Sequence, residues 1–518
     1  MKKDGLIATF LFALGLYLHI PVKWQILYHW DSINFALSLS KFDVATGQPH
    51  MPGYILYVYL ARLVNGIFHN PQTTLVVISA VSSALAIAAI YLLGIMLYSR
   101  LTGFLAALFL ISSPLFLFYG EIALPHTLDA FVVILCVGML FQVSRGKHNW
   151  AIPAAICLGI AGGFRPQTEL FLAPLALYAG WKLGWRRGLM ALGVLAIVDL
   201  AWFIPLMQLS GGISRYFEVM NAFTTAFNTS TSIFTGGISG LMRNLRKLGM
   251  YTLYGWGSVS GLAVCAWIWL MVNGWRRCRS QSTRLAWKAW LKQPLFWIFF
   301  LWIVPTLLYY VFIHMGQQGL VFVFLPALLL LSAAAIEKLN WYQHNLGRGI
   351  IAAALLVNAG IFIAAPSKPL DDDRLKLLTF ETLQQHDAHY LALFSGIKQE
   401  FLPESTLLLS SQWRFPQYYL PDYRYIPYSV GSRWEVNAGN PTLTDERTVQ
   451  FSNLGLKTDA QGMVTLVLVD EEILPFNQSA DQTRWLDLQD GSRLGYIRVP
   501  LQQTLLLTPQ YFSLAPAQ

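Results

Sequence analysis

A chain of 518 residues that is 55% hydrophobic and 14% aromatic but only 12% charged, with a mean hydropathy of +0.47, has the composition of a polytopic membrane protein rather than a soluble domain. Its formal net charge of +9 is unevenly spread: the first 365 residues carry 24 Lys plus Arg against 9 Asp plus Glu, a net of +15, and residues 366–518 carry 12 against 18, a net of −6. The positive excess is therefore a matter of membrane topology, and a nucleic-acid footprint is excluded as its cause.

Apolar runs of about 17 to 25 residues mark membrane-crossing helices. They predict eleven spans, near residues 6–22, 73–98, 101–119, 127–143, 151–164, 167–181, 189–209, 251–274, 294–313, 319–336 and 349–365. The N-terminal MKKDG is a basic flank with no small-residue cleavage site before Pro21 and Lys23, so the first run is read as a span and not as a cleaved signal. After it, residues 23–70 do not make one clean crossing and predict two amphipathic helices. Leu27, Trp30, Ile33, Phe35, Leu37 and Leu39 alternate with polar positions, which predicts a loop lying in the interface with one face in lipid. The QPHMPGY stretch predicts a sharp break between those helices. The segments flanking Arg165 and Pro166 are short, and read either as two spans or as one broken helix or re-entrant hairpin.

With a cytoplasmic N-terminus, sixteen basic residues fall inside, among them Lys2, Lys3, Arg100, Arg145 and the Arg276–Lys292 cluster, and eight fall outside: Lys23, Lys41, Arg62, Arg165, Arg215, Arg243, Arg246 and Lys247. That asymmetry satisfies the positive-inside rule, and the Arg276–Lys292 cluster reads as a topology determinant in contact with anionic lipid. An odd number of spans puts residues 366–518 outside the cytoplasm. This region opens on APSKPLDDDR and predicts a soluble α/β domain, with a helix near 384–400, strands at 406–411, 464–469 and 493–499, and a turn and aromatic strand through QYYLPDYRYIPY. It contains no cysteine: Cys136, Cys157, Cys265 and Cys278 all lie earlier, so no disulfide framework and no Cys/His metal spacing is present. Walker, GxGxxG, HExxH and GxSxG motifs are also missing from the sequence, which argues against nucleotide-driven transport and common hydrolase chemistry.

Carboxylates near membrane depth cost roughly 2.5 to 3.5 kcal/mol on insertion scales and persist where they line cavities or do chemistry. Asp31 follows Trp30 just beyond the first span; it is either the N-terminal cap of the helix that follows or a working acid. Glu121, His126 and Asp129 crowd the short second outer loop, as a polar turn or as site residues. Arg165 is a phosphate ligand or a snorkelling interface residue. His50 orients its turn or touches substrate, and His314, Gln317 and Gln318 cap the tenth span or contribute to a site. Asp43 and Glu169 are weaker candidates on the same side.

In this order and on this side of the membrane, WD at Trp30–Asp31, PHMPGY at Pro49–Tyr54, GFRP at Gly163–Pro166 and HMGQQG before PALLLL resemble the integral-membrane glycosyltransferases of the C superfamily. Within it the chain is similar to the protein O-mannosyltransferases and aminoarabinose transferases, which use polyprenyl phosphate sugars. The resemblance covers the membrane part; the YYLPDY of the outer domain matches only loosely. It implies about eleven transmembrane helices in residues 1–365 with an extracytoplasmic α/β domain in 366–518. It also implies an inverting transfer of a monosaccharide from an undecaprenyl or dolichyl phosphate carrier to an acceptor hydroxyl on a glycan, lipid or protein. Asp31, with Glu121, would then be catalytic, Asp31 as general base. Arg165 would stabilise the leaving phosphate, and His50, His126, Asp129, His314, Gln317 and Gln318 would bind substrate. Many relatives carry two adjacent acids in the first loop, whereas Ser32 follows Asp31 here, so use of a divalent cation is open. A bacterial inner membrane is the expected location. The alternative reading is a transporter or flippase for a lipid-linked or small polar substrate; a third, a membrane scaffold, leaves Asp31, Glu121 and Arg165 unexplained.

Overall fold

Inside a bilayer the backbone has no water to bind, so apolar runs must close their hydrogen bonds within helices. The computed structural model describes residues 2–19, 24–278, 293–369, 376–428 and 446–515. In chain order its helices are α1 Lys2–His19, α2 Trp30–Ser40, α3 Ile55–Phe68, α4 Pro71–Leu97, α5 Arg100–Ser112, α6 Pro114–Gly120, α7 His126–Ser144, α8 Ala151–Phe164, α9 Pro166–Trp181, α10 Trp185–Leu209, α11 Ile213–Thr231, α12 Ile233–Trp256, α13 Val259–Cys278, α14 Pro294–Phe312, α15 Leu325–Lys338, α16 Asn345–Ala364, α17 Phe380–Glu400 and α18 Arg414–Tyr419. Lys23, Arg279, Arg284, Lys288 and Lys292, used to orient the chain, and the acidic run at 371–373 lie outside the described residues. The chain divides into two units: Met1–Lys23, Pro52–Gly212 and Phe227–Thr382 form the first, and Trp24–Met51, Ile213–Ala226 and Leu383–Gln518 the second.

In the first unit every predicted span meets a helix, but not always a straight one. By length and composition, among the described residues, five helices are long and apolar enough to cross a membrane alone: α4, α7, α10, α14 and α16. Two bent pairs bring the number to seven. The predicted span at 101–119 is one of them: Ser113 caps α6 by accepting from the Phe116 N–H at 3.3 Å, Pro114 follows at its first position, and the axis bends by 66°. Proline has no N–H to continue the α5 ladder. The span predicted at 251–274 straddles the other break, a 96° turn between α12 and α13 at Gly257. Residues 213–249, read from sequence as an outer loop, are helical in α11 and α12. Arg165 separates α8 from α9 in extended conformation (φ −157°, ψ 102°), and those two helices pack on one another. They are a helix pair, not one broken helix. The break expected in QPHMPGY is present, with Gly53 at φ 106° and Tyr54 at φ 42° before α3 begins.

The second unit corrects two expectations. α2 was expected to bury one face in lipid, yet Leu27, Ile33, Phe35 and Ala36 are at most 3% exposed and the helix packs on α18. α3, in the first unit, does keep an exposed apolar stripe, at Tyr59, Leu63 and Ile67. The turn and aromatic strand expected through QYYLPDYRYIPY are met in part: strand β2, Arg424–Pro427, is present, but the run opens in the short helix α18. Asp470 explains this: its carboxylate accepts from Ser410 Oγ and the Ser411 N–H, each at 2.7 Å, and from the Gln412 N–H at 3.3 Å, fixing the turn that leads into the helix. The predicted strands are β1 Thr406–Ser410, β4 Met463–Leu468 and β6 Arg493–Pro500, with β2 Arg424–Pro427 and β5 Arg484–Asp487 completing a five-stranded sheet ordered β2-β1-β4-β6-β5. β1 runs parallel to β2 and β4, and β6 antiparallel to β4 and β5. A second antiparallel sheet, β3 Arg447–Gln450, β7 Thr504–Leu507 and β8 Phe512–Ala515, was not foreseen. Leu407, Leu409, Leu466, Leu468, Val499 and Phe512 are in the core joining the sheets.

Candidate active site

Asp31 lies in the first turn of α2, but the cap of that helix is His29, whose Nδ1 accepts from the Asp31 N–H at 3.0 Å. The competing explanation of Asp31 as N-cap therefore belongs to another residue. Its Oδ1 is 3.4 Å from His50 Nδ1 and its Oδ2 is 3.6 Å from His29 Nδ1, and its side chain remains 19% exposed. His50 packs edge-on against Phe35, with centroids 5.2 Å apart. Burial pushes the His50 imidazole below its ordinary pKa while the Asp31 charge pulls it back up. Arg414 of α18, not anticipated from sequence, is 1% exposed. It donates to the Thr46 carbonyl and to Gln417 Oε1, and lies 4.2 Å from the Trp413 ring centroid. Burial pushes its pKa down to about 10. Asp43 accepts from the Ala45 N–H at 3.1 Å and pairs with Lys41 at 3.3 Å, closing its own turn.

The first unit holds the remaining candidates in separate clusters. Arg165 Nη1 donates to Asp129 Oδ2 at 2.7 Å, and Thr168 Oγ1 donates to Asp129 Oδ1 at 2.5 Å. Both oxygens of Asp129 are thus engaged. Glu121 is different: Oε1 is 2.8 Å from His19 Nδ1, while Oε2 is buried with no hydrogen-bond partner among the described residues. His126 Nε2 meets Gln317 Oε1 at 2.8 Å, and Tyr119 OH donates to Gln318 Oε1 at 3.3 Å. Gly319 permits this seam, since a Cβ there would stand 2.6 Å from both the His126 and Tyr119 rings. His314 Nδ1 is 3.2 Å from Thr231 Oγ1. Burial, with the Lys247 and Arg243 charges, pushes His314 down to about 4. Glu169 sets its carboxylate against Gly162 of α8, where any Cβ would overlap it. Among the sequence candidates the structure brings together Asp31 with His50, Asp129 with Arg165, and His126 with Gln317, each within one unit. Among the described residues no three His, Cys, Asp or Glu converge as metal ligands.

Comparison with known proteins agrees with the resemblance in the sequence. Residues 50–208 match the family model of dolichyl-phosphate-mannose-protein mannosyltransferase. No curated protein matches the chain. Among solved structures, ArnT from Cupriavidus metallidurans bound to undecaprenyl phosphate superposes with a TM-score of 0.57 at 13% identity, over 96% of this chain and 97% of that one. The same protein in the apo state gives 0.55 at 12% identity, over 96% and 98%. At such identity the likeness is one of fold, and it extends over nearly the whole of both chains.

Proposed function

We propose that the chain is an integral-membrane glycosyltransferase of the C superfamily that moves a single sugar, with inversion, from a polyprenyl phosphate carrier to an acceptor hydroxyl on the extracytoplasmic side of a bacterial inner membrane, a reading supported by the family model over residues 50–208 and by the fold shared with ArnT. Residues 1–365 would be its transmembrane domain and 366–518 its exported α/β domain. The observation that carries the reading is the state of Asp31. Its side chain is 19% exposed against 2% for Glu121 and 5% for Asp129, and it stands beside His50, whereas the more exposed Asp43 is taken up by its own turn and Lys41.

A general base must reach the proton it removes. Asp31 takes the proton of the acceptor hydroxyl as that oxygen attacks the anomeric carbon, and His50, held near neutrality of charge by burial, orients the carboxylate. The bond from the anomeric carbon to the phosphate oxygen breaks, and the lipid phosphate leaves with added negative charge. In the first unit taken by itself, Arg165 is the candidate ligand of a lipid phosphate: its guanidinium is anchored through Nη1 by Asp129, and its Nε has no partner among the described residues. ArnT of C. metallidurans, bound to undecaprenyl phosphate, supports the class of donor. Mass spectrometry of lipid-linked sugars and glycans, with and without the protein, tests the proposal. A polyprenyl phosphate sugar should accumulate and one glycan, lipid or protein modification should vanish when it is absent. Unchanged profiles would refute it.

A further inference from the structure

His19, the last residue of α1, is inconspicuous in the sequence, yet it is buried against the candidate acid of the second outer loop. Its side chain and that of Glu121 are each 2% exposed, its Nδ1 lies 2.8 Å from Glu121 Oε1, and its Nε2 lies 3.1 Å from Ser83 Oγ of α4. Gly120 is what admits the ring: any Cβ there would overlap the imidazole. The loop itself is fastened to α4 on the other side, by Ser79 Oγ donating to the Leu124 carbonyl at 3.0 Å and Thr127 Oγ1 donating to the Ser79 carbonyl at 2.9 Å. Both nitrogens of His19 are thus engaged, while one oxygen of Glu121 is not.

We infer that His19 is a positioning residue which, with its ring steadied by Ser83, holds Oε1 of Glu121 by a hydrogen bond, favours the carboxylate form and leaves Oε2 for the transferred sugar or its acceptor. A buried carboxylate on its own takes up a proton, because burial disfavours the charged form; an adjacent cation reverses that preference. Burial is the larger influence and leaves Glu121 above the ordinary carboxylate value, and the contact with His19 pulls it part of the way back. The partners of the nearby ionisable groups differ from this one. Asp129 is tied to Arg165, His126 to Gln317, and Tyr119 to Gln318. On the packed helices, Asp4 pairs with Arg100 at the far end of α1, Tyr91 lies two turns beyond Ser83 on α4, α12 brings Arg243, Arg246, Lys247, Tyr251 and Tyr254, and α16 brings Arg348. Among the described residues, His19 is the titratable group hydrogen-bonded to Glu121.

The inference rests on the reading that Glu121 serves the transfer, so the test joins one readout that needs turnover with one that does not. His19→Asn keeps a donor where Nδ1 stood but carries no charge. It should lower kcat about 10-fold or more, leave the donor KM within about 2-fold, and move the acid limb of the kcat profile to higher pH by about one unit. In substrate-free protein it should add the infrared band of a protonated carboxyl, which disappears when Glu121→Gln is combined with it. Gly120→Ala, which leaves both ionisable groups in place but parts them, should do the same. If His19→Asn fails to fold, Ser83→Ala supplies the milder perturbation, with the same signs at smaller amplitude. A wild-type acid limb with no new carboxyl band overturns the inference, as does a loss of kcat with the limb unmoved. If no polyprenyl phosphate sugar supports turnover by the wild type, the functional proposal fails, and the infrared band still decides whether His19 holds Glu121 ionised.

Discussion

Replacing Asp129 with Asn removes the countercharge of Arg165 while preserving the shape of the side chain, and its cost follows from the setting of the pair. Nη1 and Oδ2 are 2.7 Å apart and both side chains are 5% exposed, so neither charge has water to fall back on. Removing one member of such a pair leaves the other uncompensated, at about 3–5 kcal/mol. The hydrogen bond from Thr168 at 2.5 Å is weakened in the same step and its loss is contained in that figure. Set against a typical total stability of about 5–15 kcal/mol, the loss is severe. The double variant Asp129→Leu/Arg165→Met removes both charges and both desolvation penalties, and should recover most of it. Tryptophan fluorescence during denaturant titration in detergent micelles, over the full cycle of two single variants and one double, measures the coupling. An Asp129→Asn cost below about 1 kcal/mol, the scale of an exposed pair, or a double variant no better than the sum of the singles, would refute the view that Asp129 holds Arg165.

Asp31→Asn retains hydrogen bonding but cannot accept a proton, so transfer should fall by on the order of 100-fold with folding and membrane yield intact; wild-type turnover by the purified variant removes Asp31 as base. His314 titrates near 4 when folded against an ordinary 6.5, so the unfolded chain takes the proton first: this contribution is complete above the ordinary value, declines as pH falls through it, and levels off near the folded value. After screening by solvent the loss is on the order of 1–3 kcal/mol, read as melting temperature against pH, and Lys247→Met should flatten the slope. Gly319→Ala drives a methyl into the His126 and Tyr119 rings and should cost about 1–3 kcal/mol, whereas a wild-type melt would show that the seam yields. A reporter fused after residue 366 should read extracytoplasmic and one placed within 276–292 cytoplasmic; the reverse would invert the membrane side of every site residue.

Hydropathy made the helices legible because lipid leaves an apolar run few alternatives, and rarity made Asp31, Glu121 and Arg165 legible because a charge is expensive there. What the sequence concealed depends on partners far along the chain. The residues of α18 have strand-like aromatics, and Asp470, some sixty positions later, decides that they turn into a helix. His19 reads as an ordinary polar end to an apolar run until Glu121 arrives 102 residues on. Arg414 looks like a surface cation until the Thr46 carbonyl and the Trp413 ring enclose it. The strands β3, β7 and β8 are four residues each, too short for alternation to stand out from loop composition. α2 misled for the opposite reason: its pattern is amphipathic, and pattern alone does not say whether lipid or protein covers the apolar face.

The segment bearing Asp31 is anchored by residues made long after it. The amides of Gln25 and Ile26 donate to Asp387, 362 and 361 positions downstream, and the Leu27 amide donates to the Tyr419 hydroxyl 392 positions downstream. At a synthesis rate of about 5–20 residues per second, the first loop waits tens of seconds outside the ribosome before its anchors exist. On the proposed role of Asp31, a nascent chain is an unarmed enzyme, and a message cut short before those anchors should yield an inert protein. Catalytic competence would then be a checkpoint on completed translation, enforced by the order in which the chain is written.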